Sequence, residues 1–191
     1  KREAVAAASR MGYPVALKVI SPEILHKTDV GGVKLDIGNR RRLEDSYDDM
    51  MYEVRRKMPE AEIQGVGVQR MAPPGKELIL GFSSDPQFGP LIMVGLGGIY
   101  VEAFGDVSFR LAPVDEREAS RMLAELKAYR LLAGVRGEPP CDIKAVEEII
   151  MRVSQLAVEN RRITEMDINP LMVYNAGHGC TCVDVRMTLG G

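Results

Sequence analysis

Apolar residues recur along the first third of the chain at two spacings, one typical of strands and one typical of helices. Short runs of β-branched residues bounded by proline or glycine predict strands, and apolar residues three or four apart predict helices. Gly12 is a suitable end for the first helix, and Asn39 is a suitable N-cap for the second. The pattern predicts a helix ending at Met11, strands at 14–20, 33–37 and 65–71, and a helix within 40–58.

The segment Ala72-Pro73-Pro74-Gly75 is the clearest interruption of this pattern, because two prolines and a glycine disfavour both helix and strand. We expect a domain boundary there, with a first subdomain at 1–71 and a second at 72–191. Strands and helices mix without regular alternation, which predicts an α+β fold. Beyond the boundary, the pattern predicts two strands at 76–82 and 89–95 around a turn at 83–88, with a continuation through 96–102, and a further strand within 106–113. It then predicts helices at 115–133 and 142–160. The last predicted element is a hairpin that begins at Ile163 and turns at 175–179.

Composition narrows the class of protein. A formal net charge of −2 over 191 residues argues against a general nucleic-acid-binding protein. No apolar run approaches the roughly 20 residues of a membrane span, so the sequence predicts no membrane segment. Three cysteines cannot all pair with one another, which favours a reduced, cytoplasmic compartment. The chain opens in the last turns of a helix without an initiator methionine, and we therefore expect a fragment of a longer polypeptide.

A lysine in an apolar strand and a histidine in a glycine-containing loop are the first candidates for chemistry. Lys18 must extend its ammonium to solvent or to an anion, and taken alone the solvent alternative is the simpler one. His26 precedes the pair Gly31-Gly32, whose backbone N–H groups either cradle an anion or merely form a turn. A surface imidazole without a role is the plain alternative for His26.

The end of the chain carries oxygen donors at strand spacing. Asp167 and Asn169 are two residues apart, so their side chains project from one face of the predicted strand. Asp184 lies on the returning strand of the same predicted hairpin. Two carboxylates and an amide oxygen suit Mg²⁺, which takes a few oxygen ligands and completes its octahedron with water and phosphate. The alternative, a solvated polar face, is disfavoured because Asp and Asn form strands poorly.

Three segments together resemble a known family: GYPVALKVISPEILHKTDVGGVKL, VQRMAPPGKELILGFSSDPQFGPLIMVGLGGIYVE and EMDINPLMVY. In this order, and over nearly the whole chain, they are similar to the ATP-grasp domain of NDP-forming acyl-CoA synthetases. These are the ADP-forming acetate–CoA ligases, relatives of succinyl-CoA synthetase. The resemblance implies the ATP-grasp fold, in which two α+β subdomains clamp a nucleotide, with the first strands of the family expected before Lys1.

The resemblance also implies a role for each candidate residue. Lys18 falls where the family has a lysine for nucleotide phosphate, and His26 resembles the histidine that takes up phosphate. The backbone at 69–71 would read the adenine edge, and Glu77 would accept a hydrogen bond from the ribose or the amino group. The implied nucleotide-binding residues are Lys18, Gly31, Gly32, Gln69, Arg70, Met71 and Glu77. The implied magnesium ligands are Asn169, Asp184 and Asp167, the last at a position often held by glutamate.

The implied reaction is acyl-CoA + ADP + phosphate ⇌ acid + CoA + ATP, with Mg²⁺ and with phosphate carried on a histidine. A CoA-binding ligase alpha subunit, or an equivalent fused domain, would form the acyl phosphate, and we expect a hetero-oligomer in the full-length enzyme. The alternatives are a ligand-sensing module fused to an acetyltransferase and a purely structural assembly domain. The latter explains none of the candidate residues.

Overall fold

The computed structural model describes residues 1–24, 26–97, 105–135 and 137–190. The chain divides into two compact units, Lys1–Met71 and Ala72–Gly191. The division falls directly before the Pro73-Pro74 pair. The assignment of these two units as ATP-grasp subdomains stays a prediction.

The first unit is a three-stranded antiparallel sheet with two helices on one face. Its elements are α1 (Arg2–Met11), β1 (Val15–Ile20), β2 (Val33–Ile37), α2 (Arg40–Lys57) and β3 (Gly65–Arg70), and the strand order is β2-β1-β3. The helices bury the face of β1 that carries Val15, Leu17 and Val19. The Asn39 side chain accepts the N–H of Arg42 at 2.9 Å, which confirms the predicted N-cap of α2.

The second unit is a larger antiparallel sheet with helices on one face. Its strands are β4 (Lys76–Asp85), β5 (Gly89–Leu96), β6 (Val107–Leu111), β7 (Ile163–Val173), β8 (Cys180–Cys182) and β9 (Val185–Leu189). Its helices are α3 (Glu116–Glu125), α4 (Tyr129–Ala133) and α5 (Ile143–Glu159). The strand order is β6-β5-β4-β7-β8, and β9 also pairs with β7. Leu78, Leu80 and Phe82 of β4 belong to the core that the helices cover, so the residues between them on β4 lie on the opposite face of the sheet.

Two predicted boundaries in this unit are wrong, and at each of them an aspartate side chain binds backbone N–H groups. The predicted turn at 83–88 is shorter: β4 continues to Asp85, whose carboxylate accepts the N–H groups of Gln87 and Phe88. The predicted helix at 115–133 is broken after Glu125. There the buried carboxylate of Asp106 accepts the N–H groups of Lys127 and Ala128 at 2.7 and 2.9 Å. Because these two N–H groups bind Asp106, they cannot make the backbone bonds of a continuous helix.

The returning strand of the terminal hairpin is also interrupted. β8 ends at Cys182 and β9 begins at Val185, so Asp184 lies between two strands instead of within one. On β7, Ile168 and Leu171 both face the core although they are three residues apart, because the strand carries an extra residue there. Part of the predicted continuation through 96–102 lies outside the described residues. Within the described ranges, no helix is long and apolar enough to span a bilayer.

Candidate functional site

Lys18 lies on the face of β1 that points away from the helices. Its neighbours Leu17 and Val19 are fully buried in the core of the first unit, whereas Lys18 is half-buried. Because successive side chains of a strand point to opposite faces, the Lys18 side chain leaves this core. It stands directly across from Gly67 of β3, which has no side chain to occupy the adjacent space. This placement fits an ammonium that binds an anion, and its assignment to nucleotide phosphate stays a prediction.

The last residues of β3 separate into two groups. Gln69 is exposed and lies across from Ala16, and so shares a face with Lys18. The Arg70 guanidinium instead donates to the backbone oxygen of Met11 at 2.6 Å, at the carboxyl end of α1. A cation at this end of a helix offsets the partial negative charge of its last carbonyl groups. The Arg70 side chain therefore holds α1 in this structure, and only the backbone of the segment stays available for the predicted adenine contact.

His26 is exposed in the loop that joins β1 to β2. The residues after it form a compact turn in which the backbone oxygen of His26 accepts the N–H of Asp29 at 3.2 Å. The ammonium of Lys57, at the end of α2, donates to the backbone oxygen of Asp29 at 2.9 Å. A histidine held at the surface by a short, anchored turn fits a group that must meet a second reactant, and its role as phosphate carrier stays a prediction.

Gly31 and Gly32 form a turn in this structure, and their contact with nucleotide phosphate stays a prediction. The N–H of Gly31 donates to Thr28 at 3.0 Å, and that of Gly32 donates to Lys27 at 2.7 Å. Both amides are thus engaged inside the turn in this conformation. The glycines are needed for geometry: Gly31 has a φ of 74°, and a Cβ on Gly32 would lie 2.5 Å from a methyl carbon of Val19.

A basic group surrounds one carboxylate beneath this loop. Glu53 of α2 binds Arg56 at 2.9 Å and lies 3.9 Å from the Lys57 ammonium. The hydrogen bond from Arg56, with smaller contributions from Lys57 and Lys34, lowers the pKa of Glu53. Lys34 is paired across from Leu17, on the helix side of the sheet. Its charge therefore acts on Glu53.

Glu77 is exposed near the start of β4, on the sheet face opposite the core. Its backbone oxygen accepts the N–H of Gly97 at 2.7 Å. A Cβ at Gly97 would lie 3.0 Å from the Cβ of Glu77, which is tighter than ordinary packing, so a glycine suits this approach. The structure thus gives Glu77 a fixed backbone at the point where the chain leaves β5, and its contact with ribose or adenine stays a prediction.

Two of the three predicted magnesium ligands lie on the same face of the second sheet, and the third lies beside one of them. Met166 and Ile168 of β7 are buried in the core, so Asp167 and Asn169, which alternate with them, point to the opposite face. The N–H of Asn169 donates to the backbone oxygen of Asp184 at 3.0 Å, which brings these two residues side by side. The extra residue of β7 follows directly after Ile168, and irregularities of this kind commonly re-aim side chains beside functional sites.

The donor chemistry of this face fits magnesium. Its ligands would be two carboxylates, of Asp167 and Asp184, and the amide oxygen of Asn169, all of them hard oxygen donors. Within the described residues, no three His, Cys, Asp or Glu side chains form a closed metal cage. Mg²⁺ does not require such a cage, because it keeps several water or phosphate ligands. These residues would hold the ion, and their assignment as ligands stays a prediction.

Two residues of the second unit were missed by sequence reasoning, one on this face and one at the start of α5. Arg186 of β9 is paired directly across from Asp167. Asp142, the N-cap of α5, accepts the N–H of Ala145 and also those of Gly177 and Gly179, in the loop that leads back toward Asp184. These backbone donors, Gly179 first, lower the pKa of Asp142. Arg186 could have been found from its position two residues after Asp184, whereas no local signal links Asp142 to that loop.

Comparison with known proteins places this architecture. The profile of the ATP-grasp domain family matches residues 1–189. The chain is 51% identical over 183 residues to acetate–CoA ligase (ADP-forming) I of Archaeoglobus fulgidus, covering 96% of this chain and 26% of that ligase. It is 46% identical over 189 residues to the beta subunit of acetate–CoA ligase (ADP-forming) I of Pyrococcus furiosus, covering 99% of this chain and 81% of the subunit. The chain thus spans about a quarter of the first relative and most of the second.

Solved structures agree with these sequence relatives. The dinucleotide-forming acetyl-coenzyme A synthetase 1 of Ca. Korarchaeum cryptofilum, in complex with coenzyme A, Ca-AMPCP and HgCl⁺, superposes with a TM-score of 0.93 at 47% identity, over 99% of this chain and 82% of that one. A second structure of the same enzyme, with coenzyme A and Mg-AMPPCP, has a phosphohistidine segment that points towards the nucleotide binding site. It superposes with a TM-score of 0.83 at 43% identity, over 99% of this chain and 82% of that one. This chain therefore belongs to the ATP-grasp domain family, and within it to the group formed by the beta subunits of ADP-forming acetate–CoA ligases and the matching regions of their longer relatives.

Proposed function

We propose that this chain is the nucleotide-binding and phosphoryl-transfer part of an ADP-forming acyl-CoA synthetase, an acid–thiol ligase. The reaction is acyl-CoA + ADP + phosphate ⇌ acid + CoA + ATP. The observation that carries the proposal is that one chain contains both an exposed histidine in an anchored turn, His26, and the oxygen donors Asp167, Asn169 and Asp184. A phosphate carrier and a magnesium–nucleotide site are the two parts that such a transfer needs.

In the direction of ATP use, a ring nitrogen of His26 forms a bond to the γ-phosphorus while the bond from that phosphorus to the bridging oxygen breaks and ADP leaves. Lys18 would hold phosphate oxygens through its ammonium, and Glu77 and the backbone of Gln69 and Met71 would orient the nucleoside. When bound at Asp167, Asn169 and Asp184, Mg²⁺ would neutralise negative charge on the phosphates. The reverse transfer, from phosphohistidine to ADP, uses the same residues.

The partner in this proposal binds CoA and forms the acyl phosphate. The Pyrococcus relative is by name one subunit of its ligase, and the Archaeoglobus relative is a single, longer chain. We therefore propose a CoA-binding alpha subunit or a fused domain of the same kind. The three free cysteines support a reducing, cytoplasmic compartment for the protein. A ligand-sensing module fused to an acetyltransferase has no support among the relatives named above, which are ligases or synthetases.

Phosphate transfer to the protein tests the proposal directly. The full-length protein is incubated with Mg²⁺ and ATP labelled at the γ-phosphate, and the label on this chain is measured after acid and base treatment. We expect a label that is stable in base and labile in acid, as phosphohistidine is. His26→Ala should abolish it, because the accepting nitrogen is gone. Asp184→Ala should reduce it at least tenfold, because the metal site loses a carboxylate.

His178→Ala is the matched control, since the chain contains two histidines and His178 lies outside the proposed site, in the loop between β7 and β8. This variant should keep the full label. A His26→Ala protein that is labelled as well as the wild type would refute the phosphohistidine mechanism.

A further inference from the structure

Arg186 lies on the face that carries the predicted magnesium ligands. It is paired directly across from Asp167, and directly opposite residues of antiparallel strands place their side chains on the same face. Val185 and Met187, which flank it, are paired with the core residues Ile168 and Met166 and so belong to the other face. Arg186 is also two residues from Asp184, a spacing of about 7 Å along the chain. A guanidinium therefore stands beside the oxygen donors.

Arg186 is half-buried, and within the described part of the chain its guanidinium donates no hydrogen bond and forms no ion pair. The half-buried Arg110 of β6 shows the usual alternative, because it binds Glu118 at 2.7 Å and Glu125 at 2.5 Å. A partly desolvated cation is costly when it lacks a partner. Asp167 is directly opposite, and no ion pair joins the two residues.

We propose that Arg186 is a further nucleotide-binding residue, which binds the β-phosphate of a nucleoside diphosphate. This inference rests on the proposed function, because it requires a magnesium–nucleotide at Asp167, Asn169 and Asp184. A guanidinium matches phosphate geometry, since its planar fork donates two parallel hydrogen bonds to two oxygens of one group. The oxygen donors draw the metal and the outer phosphates to this face, and Arg186 is the cation that already stands there.

A different role for Arg186 would be to neutralise Asp167 alone. In that case, removal of Arg186 should change the affinities for ADP and AMP equally, or should strengthen metal binding by freeing the carboxylate. A bond to an outer phosphate has another signature, because AMP lacks that group. Removal of Arg186 should then weaken the binding of ADP and leave the binding of AMP unchanged. The difference between the two nucleotides therefore separates phosphate recognition from a structural or purely electrostatic role.

The test is calorimetry on the full-length protein with Mg²⁺ and either ADP or AMP. We expect Arg186→Ala to weaken the affinity for ADP about 30-fold, which corresponds to about 2 kcal/mol, and to keep the affinity for AMP within about twofold of the wild type. Arg186→Lys should restore part of the loss, because an ammonium keeps the charge but makes only one of the two hydrogen bonds. Arg161→Ala removes an exposed arginine from the turn before β7 and controls for the change in net charge.

Each outcome decides between the two proposals. If the wild type binds neither nucleotide, the proposed function itself fails. If the wild type binds ADP and Arg186→Ala binds it as well as Arg161→Ala does, the function stands and the role of Arg186 is refuted. An equal loss of ADP and AMP would also refute it, because the first phosphate or the fold would then be the part affected.

Discussion

Replacement of Asp142 by alanine should destabilise the second unit far more than the loss of an ordinary helix cap. One oxygen of Asp142 accepts the N–H of Ala145 at 3.2 Å and caps α5. The other accepts the N–H groups of Gly177 and Gly179, both at 2.9 Å, and ties the loop between β7 and β8 to the start of this helix. A single carboxylate thus connects two elements that are more than 30 residues apart in sequence.

The three bonds set the expected size of the effect. An N-cap contributes about 1 kcal/mol. Each further bond from a backbone N–H to a half-exposed carboxylate contributes about 1 kcal/mol. We therefore expect Asp142→Ala to lower the free energy of unfolding by about 3 kcal/mol. For a unit of this size, that loss lowers the melting temperature by about 10 °C.

Thermal unfolding followed by circular dichroism measures the loss, and Asp115→Ala is the matched control. Asp115 caps α3 through one bond, to the N–H of Glu118 at 2.8 Å, and makes no bond to a distant loop. This variant should cost about 1 kcal/mol. Equal losses in the two variants would show that the bonds to Gly177 and Gly179 contribute nothing, and would refute the reasoning.

The effect should also depend on pH in one direction. The N–H groups of Gly179 and Ala145 lower the pKa of Asp142 in the folded protein, so the folded state favours the ionised carboxylate. Its contribution is complete above the pKa of the unfolded chain, about 3.9, and is lost as the pH falls through the lower, folded value. The difference between wild type and Asp142→Ala should therefore be full at pH 7 and should shrink below about pH 4.

Two further variants test the positions around His26 and Asp167. Gly81→Ala should displace β7 beside Asp167, because an added Cβ would overlap the backbone oxygen of Met166. Calorimetry should show Mg-ADP binding weakened at least tenfold, whereas Gly65→Ala, with open space at its Cβ, should leave it unchanged. Lys57→Ala removes the anchor of Asp29, so hydrogen exchange at the Gly31 and Gly32 amides should accelerate about tenfold with little loss of global stability. The control Arg55→Ala should not change this exchange. An unchanged exchange rate in Lys57→Ala would show that the bond from Lys57 to Asp29 does not stabilise the loop.

Features that depend on neighbours in sequence were predictable. The cap at Asn39, the helix end at Gly12 and the apolar runs of the strands follow from local sterics and burial, and the structure confirms them. The pairing of Asp167 with Asn169 on one face followed from the two-residue repeat of a strand. The family of the chain, too, followed from segments that could be read directly.

Features that depend on distant partners were not predictable. The break after Glu125 requires the carboxylate of Asp106, which is about 20 residues away. Nothing in the local sequence indicates that the Arg70 side chain binds the carboxyl end of α1, because Met11 is 59 residues away. The amides of Gly31 and Gly32 were expected either to face an anion or to close a turn, and in this structure they donate within the turn. In each case a donor had two possible acceptors, and only the folded chain decides between them.

Strand β7 has a consequence for how this protein can change over evolutionary time. Between Glu165 and Asn169, the even-numbered Met166 and Ile168 build the core, and the odd-numbered residues carry the oxygen donors. Insertion or deletion of one residue before Asp167 would exchange the two sets, putting carboxylates into the core and methionine and isoleucine on the face of the predicted metal ligands. Substitutions on either face can accumulate independently of the other, whereas changes of length are excluded. We therefore expect natural variants of this segment to differ in residue identity while the number of residues between Ile163 and Asn169 stays constant.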